Sequence, residues 1–148
     1  MSPCLSTNMF GMIMPCYTNR EEGEHAWVVA GKFSILTKTV VRDSVFDTLL
    51  KVLPAEEGEP DISRLAKANL KVRLRMLTLY HFANQLKYMV VGTSNSGELA
   101  IGYFSKYGDG SVDILPLGNL VKGYVSELAS FLGIPKEIIN KPPSAGLW

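Results

Sequence analysis

Short apolar runs that alternate with segments of helical apolar spacing constrain this chain more than anything else in it. Met9-Phe10-Gly11-Met12-Ile13-Met14 is a continuous apolar run closed by Pro15, the pattern of a strand buried on both faces. Asn19 followed by Glu22 reads as a capping box. The helix behind it carries Ala26, Val29, Ala30 and Phe33 on one stripe. Thr37 to Val41 is a second, β-branched run, followed by Val45, Phe46, Leu49, Leu50 and Leu53 at helical spacing. Strand, helix, strand, helix at these lengths predicts βαβ units and an α/β fold, an open parallel sheet flanked by helices. Residues 54–60 read as an acidic, Pro-bounded solvated loop.

A long helix is predicted over residues 62–86. At roughly 100° per residue, Val72, Met76, Leu79 and Ala83 fall on one side, and Leu70, Leu74 and Leu77 nearly opposite. A surface helix of a monomer needs one apolar stripe. Two opposed stripes fit either a helix sandwiched within one domain or a helix facing the sheet on one side and a second body on the other. Arg73 lies on a polar flank of the same helix with Asn69, Tyr80 and Asn84. Tyr88 to Val91 reads as a third buried strand with Gly92-Thr93 at its carboxyl end, where open parallel sheets bind ligands. A helix from about Ser96 to Ser105 follows, then a Gly108–Gly110 turn. The last helix carries Leu120, Tyr124, Val125, Leu128, Phe131 and Leu132 and is stopped by Gly133 and Pro135.

Composition narrows the class. The chain has 148 residues, 47% of them hydrophobic and 20% charged, which suits a globular domain with a sizeable core. A net charge of +1 supplies no basic field for nucleic acid or an anionic membrane. The apolar run at Met9–Cys16 is far too short to span a bilayer. Its lack of a preceding Lys or Arg argues against a secretory signal. Cys4 and Cys16 have no metal-type spacing and make no disulfide framework, so reduced thiols in a cytoplasmic protein are expected. His25 and His81 lack partner spacing for metal or triad chemistry.

The second half carries an ordered set of short motifs. They are Gly92-Thr93-Ser94-Asn95-Ser96-Gly97-Glu98, then Lys106-Tyr107-Gly108-Asp109-Gly110, then Asp113, Lys122 and Lys141-Pro142-Pro143-Ser144. In this order they resemble the ammonia-dependent NAD synthetases, ATP-using amide ligases that convert deamido-NAD to NAD. The resemblance runs over residues 9–148 and leaves residues 1–8 as an unmatched leader. It implies a Rossmann-like sheet of the adenine nucleotide alpha hydrolase type. It also implies a cytoplasmic homodimer with contacts through the 62–86 helix, and ATP, Mg2+, ammonia and deamido-NAD as ligands.

Single residues read more plainly on their own than beside the family. Glu98 alone is an acid matched to a helix N-terminus; the resemblance makes it a Mg2+ ligand, for which a hard oxygen donor is required. Thr93 alone is a cap at the approach to a helix; the resemblance places it, with Lys122 and Ser144, on ATP. Lys122 near a helix start mildly opposes the dipole, a conflict that an anionic partner resolves. Arg73, Lys106 and Asp113 would bind deamido-NAD, although a Gly-Asp-Gly turn and a helical arginine by themselves mark only a loop and a surface. Gly97 and Gly123 depart from the usual pattern without removing a liganding side chain.

The Ser-Gly-Gly-x-Asp-Ser loop that grips pyrophosphate in that family does not occur in these residues. A strand, that loop and a helix need about thirty residues, whereas eight precede Met9. The expectation is therefore an incomplete form of the enzyme, lacking its N-terminal strand and a C-terminal segment, and inactive alone. A non-catalytic remnant or a dimerising nucleotide-binding module is the alternative. A flavodoxin-like domain fits the α/β alternation but not the ordered motifs.

Overall fold

A parallel pair of strands forms where the first two runs predict it. Strand β1 (Phe10–Ile13) pairs with β2 (Leu36–Thr39) in the register Phe10 to Leu36 through Ile13 to Thr39. The ladder continues past both strands, Val40 N donating to Ile13 O at 2.9 Å and Arg42 N to Pro15 O at 3.1 Å. The structure, a computed structural model, describes residues 8–54 and 60–142, the side chains of 60–62 excepted. The leader to residue 7, most of the acidic loop and Ser144 lie outside those residues. The chain divides into two units, residues 1–57 with 144–148 and residues 58–143.

In the first unit, helix α1 (Arg20–Lys32) makes the crossover between the two strands. Its stripe is shallower than expected: Ala30 is buried, Val29 and Phe33 are half-buried, and Ala26 is exposed. The expected capping box is also displaced, because the Asn19 side chain accepts from Glu21 N while Glu22 N reaches the Asn19 carbonyl. Helix α2 (Asp43–Val52) buries Phe46. Tyr17 clasps this helix. Its amide donates to Asp43 Oδ1 and its phenol to Asp47 Oδ2, both at 2.6 Å, with its ring edge-on to Phe46. Arg42, 2% exposed, donates to the carbonyl of Met14.

In the second unit the predicted long helix is α3 (Pro60–Leu86). Val72 and Leu74 are both buried although they point about 200° apart on the helix, so two opposed sides are covered. Leu77 is the exception at 60% exposure. The helix ends with Lys87 in the left-handed region, φ +57, where Tyr88 N donates to Ala83 O at 2.9 Å.

Two predicted elements are shorter than the sequence suggests. The third strand is a single parallel bridge between Val91 and Ile114. The amide of Val90 goes to the Asp113 carboxylate rather than to a strand carbonyl, which interrupts the ladder. Burial alternates there, Val90 and Gly92 inside against Met89 at 65% and Val91 at 55% exposure, so only one face is covered. The helix predicted to Ser105 is α4 (Ser96–Ala100). Gly102, at φ +69, turns the chain out of the helix, with Gly102 N bonded to Leu99 O and Tyr103 N to Glu98 O, a Schellman stop. Helix α5 (Lys122–Phe131) ends the same way at Gly133, and α6 (Lys136–Ile139) follows. Among the described residues no helix is long and apolar enough to cross a membrane.

Candidate functional site

One face of α3 organises the second unit. Asn69, Arg73 and Tyr80 sit within about 40° of each other around the helix, and each is hydrogen-bonded to the segment 105–113. Ser105 Oγ donates to Asn69 Oδ1 at 2.6 Å, Arg73 Nε to Lys106 O at 3.2 Å, and the Tyr80 phenol to Asp113 Oδ1 at 3.0 Å. Beneath this polar line Gly108 lies against Val72, so close that a Cβ would come within 2.7 Å of Val72 Cγ1. The turn between is closed by Gly108 N on Ser105 O at 2.9 Å and by Ser105 N on Asp109 Oδ1 at 2.8 Å. Tyr107 pays for it with φ +59, a conformation that costs an L-residue about 1 kcal/mol or more.

The three residues expected to hold deamido-NAD are thus placed along one seam. Arg73 is half-buried and meets the backbone of Lys106. The Lys106 ammonium is exposed, 5.1 Å from the centre of the Tyr107 ring. Asp113 stands further along, its Oδ2 accepting from Val90 N at 2.7 Å and its backbone amide donating to Val90 O at 2.9 Å. Burial raises the Tyr80 pKa above the usual phenol value, helped by the hydrogen bond and the charge of Asp113.

A second cluster joins the starts of α4 and α5. Ser96 N, at the first turn of α4, donates to Leu120 O at 2.9 Å, two residues before Lys122. Asn95, 5% exposed, caps α4: its Oδ1 accepts from Gly97 N at 2.9 Å and Glu98 N at 3.2 Å. Glu98 Oε2 in turn accepts from Asn95 N at 3.0 Å, which completes a capping box. The cap expected at Thr93 is therefore Asn95, and Thr93 is an exposed residue between buried Gly92 and Ser94. Lys122 is exposed at the first position of α5. Ser144, the remaining predicted ATP contact, is not among the described residues.

The donor set decides what kind of metal fits. Among the described residues no three His, Cys, Asp or Glu side chains gather as a cage. Glu98 offers one carboxylate whose Oε2 is already committed to the cap. A lone carboxylate suits Mg2+ that arrives with phosphate oxygens and its own waters, not a resident ion held by protein alone.

The family described as NAD synthase matches residues 3–148, beginning inside the leader. The chain belongs to the NAD synthase family. Among its curated relatives, the NH(3)-dependent NAD(+) synthetase of Carboxydothermus hydrogenoformans is 50% identical over 93% of this chain and 56% of the relative. That of Methanocaldococcus jannaschii is 46% identical over 95% of this chain and 54% of the relative. This NAD synthase domain therefore spans about half the length of the curated relatives it matches. Among solved structures, an NMN synthetase from Francisella tularensis superposes with a TM-score of 0.83 at 36% identity, over 94% of this chain and 57% of that one. An NH3-dependent NAD synthetase from Campylobacter jejuni gives 0.81 at 29% identity, over 93% and 58%.

Two contributors escape a residue-by-residue reading of the motifs. Asn95 has a sequence signal, because Asn95-Ser96-Gly97-Glu98 is itself an N-cap pattern. Ser105 has none, since nothing in sequence pairs it with Asn69 thirty-six residues away.

Proposed function

We propose that this chain forms the body of an ammonia-dependent amide ligase that converts deamido-NAD to NAD in the cytoplasm. The observation that carries the reading is the gathering of Arg73, Lys106 and Asp113 along the α3 seam within a chain of the NAD synthase family. The deamido-NAD carboxylate attacks the α-phosphate of ATP, releasing pyrophosphate and leaving an acyl adenylate. Ammonia then attacks the acyl carbon and AMP departs. Arg73 and Lys106 offer cations to the dinucleotide phosphates, and Asp113 accepts from its hydroxyls. Thr93, Lys122 and Ser144 take ATP, and Glu98 takes the Mg2+ that comes with it. The exposed Leu77 on α3 supports a homodimer through that helix.

The absence of a Ser-Gly-Gly-x-Asp-Ser loop from the 148 residues gives the reading its sharpest test. Losing one backbone donor to a developing negative charge costs about a hundredfold to a thousandfold in rate. The chain purified alone, given deamido-NAD, ATP, Mg2+ and ammonia, is expected to bind both nucleotides and form no NAD. Turnover is expected when a segment bearing the loop is joined ahead of Met9. NAD made by the chain alone would show that the loop is dispensable. Failure to bind deamido-NAD would leave a remnant or a different nucleotide-binding module.

The Francisella tularensis neighbour favours a second reading, in which the product is NMN. Competition between mononucleotide and dinucleotide for the Arg73–Asp113 seam, measured by calorimetry, separates the two.

A further inference from the structure

Asp113 holds the second unit together as well as facing solvent. Its two oxygens are split between two elements, Oδ1 on the Tyr80 phenol of α3 and Oδ2 on the Val90 amide. Its backbone amide donates to Val90 O at 2.9 Å, and the next amide, Ile114 N, donates to the same oxygen at 3.3 Å. The carboxylate cannot turn about its Cβ–Cγ bond without breaking one of these. A carboxylate oxygen accepts more than one hydrogen bond, so each keeps acceptor capacity for a ligand donor.

We propose that Tyr80 is a positioning residue, which fixes the orientation of the Asp113 carboxylate toward the hydroxyl groups of a bound nucleotide. This rests on the reading of the seam as the deamido-NAD site. Among the described residues, the hydroxyl of Tyr80 is the one donor on Asp113 that comes from a side chain, so a single-atom change removes it. Without it Oδ1 turns to water, and the carboxylate swings on the Val90 contact alone. A hydrogen bond to a charged group is worth roughly tenfold or more in an equilibrium constant.

The test uses the 148-residue chain and its Tyr80→Phe variant. Two ligands are titrated by calorimetry, deamido-NAD and ATP with Mg2+, and amide exchange is followed by NMR. The variant is expected to bind deamido-NAD about tenfold more weakly and ATP within about twofold of the unaltered chain, because ATP is assigned to other residues. Exchange of the Val90 amide quickens, whereas that of the Gly92 amide, held by Ile114 O at 2.9 Å, stays as it was. Equal weakening of both ligands with a general rise in exchange would make Tyr80 a merely structural residue and overturn the proposal. Unchanged deamido-NAD affinity would overturn it too. If the unaltered chain binds no deamido-NAD while Val90 exchange responds as expected, the functional reading of the seam falls, and the ligand role of the clasp with it. If exchange does not respond, the clasp itself is wrong.

Discussion

Replacing Gly108 by Ala puts a methyl group where the seam has no room. The added Cβ would lie 2.7 Å from Val72 Cγ1, 3.0 Å from Ser105 Cβ and 3.3 Å from Ser105 O. Neither neighbour yields cheaply. Val72 is 4% exposed and β-branched in mid-helix, where one χ1 rotamer dominates. Ser105 is pinned by its hydroxyl on Asn69 and its amide on Asp109. Overpacking of this kind costs about 1–3 kcal/mol. The φ of Gly108 is not in the left-handed region, so an alanine backbone is allowed there, and reduced freedom of the unfolded chain returns about 0.4–1 kcal/mol. The net loss is about 1–2 kcal/mol, or a Tm lower by about 2–8 °C for a chain of this size. Urea denaturation of Gly108→Ala, Val72→Ala and the double variant forms a cycle. In it the two substitutions should compensate each other by more than about 0.5 kcal/mol. Gly23→Ala, in α1 with nothing within 4 Å of the new Cβ, is the opposite case and should stabilise by about 0.5–1 kcal/mol. A Gly108→Ala chain as stable as the original, or additive with Val72→Ala, would refute the close contact.

Other outcomes follow from single residues. Lys87→Gly removes a left-handed L-residue at the end of α3 and should raise stability by about 1 kcal/mol in the same denaturation assay; a loss would mean that the Lys87 side chain matters more than its backbone. Tyr17 has its pKa pushed up to about 12, first by the hydrogen bond to Asp47. Because the folded value lies above the unfolded one, its contribution to stability is full below pH 10 and is lost as pH rises through about 12. Tyr17→Phe should flatten that alkaline decline, and should remove one late-ionising phenol from the absorbance titration at high pH. Glu98→Gln keeps an oxygen for Asn95 N and so preserves the cap. Calorimetry should show Mg2+-dependent ATP binding weakened while Tm moves little, and a large fall in Tm would mean that Glu98 acts only as a cap.

The two-strand ladder was legible as two short apolar or β-branched runs separated by a helix-length crossover, and the long helix as a periodic pattern that survives any neighbour. Gly133 was legible as a stop, its left-handed backbone being written in its residue type. Gly102 carried the same signal, but the apolar residues around it continued the helical spacing and masked it. The run at residues 88–91 looked like a buried strand because apolar content alone does not report how many faces are covered. Its ladder partner, a carboxylate twenty-three residues away, left no local trace. Among the site residues, the polar flank of Asn69, Arg73 and Tyr80 was visible as spacing, but its partners on 105–113 were not. Glu98 shows the limit most clearly, since one residue type at one helix start suits both a cap, which it makes, and a metal ligand, for which sequence offers no separate sign.

The seam also works as a ruler. From Asn69 to Tyr80 the helix advances eleven residues, about 16 Å at 1.5 Å each, while the facing segment covers the same ground with eight, from Ser105 to Asp113. The helix is stiff and counts residues strictly; the facing segment spans the same distance through a packed glycine turn. One residue inserted between Arg73 and Tyr80 would swing Tyr80 through about 100° and strand Asp113. An insertion at Gly108–Gly110 would instead push against Val72, Ser105 and Phe104. Both halves of the seam therefore hold their length, the helix through its rotation and the turn through its packing.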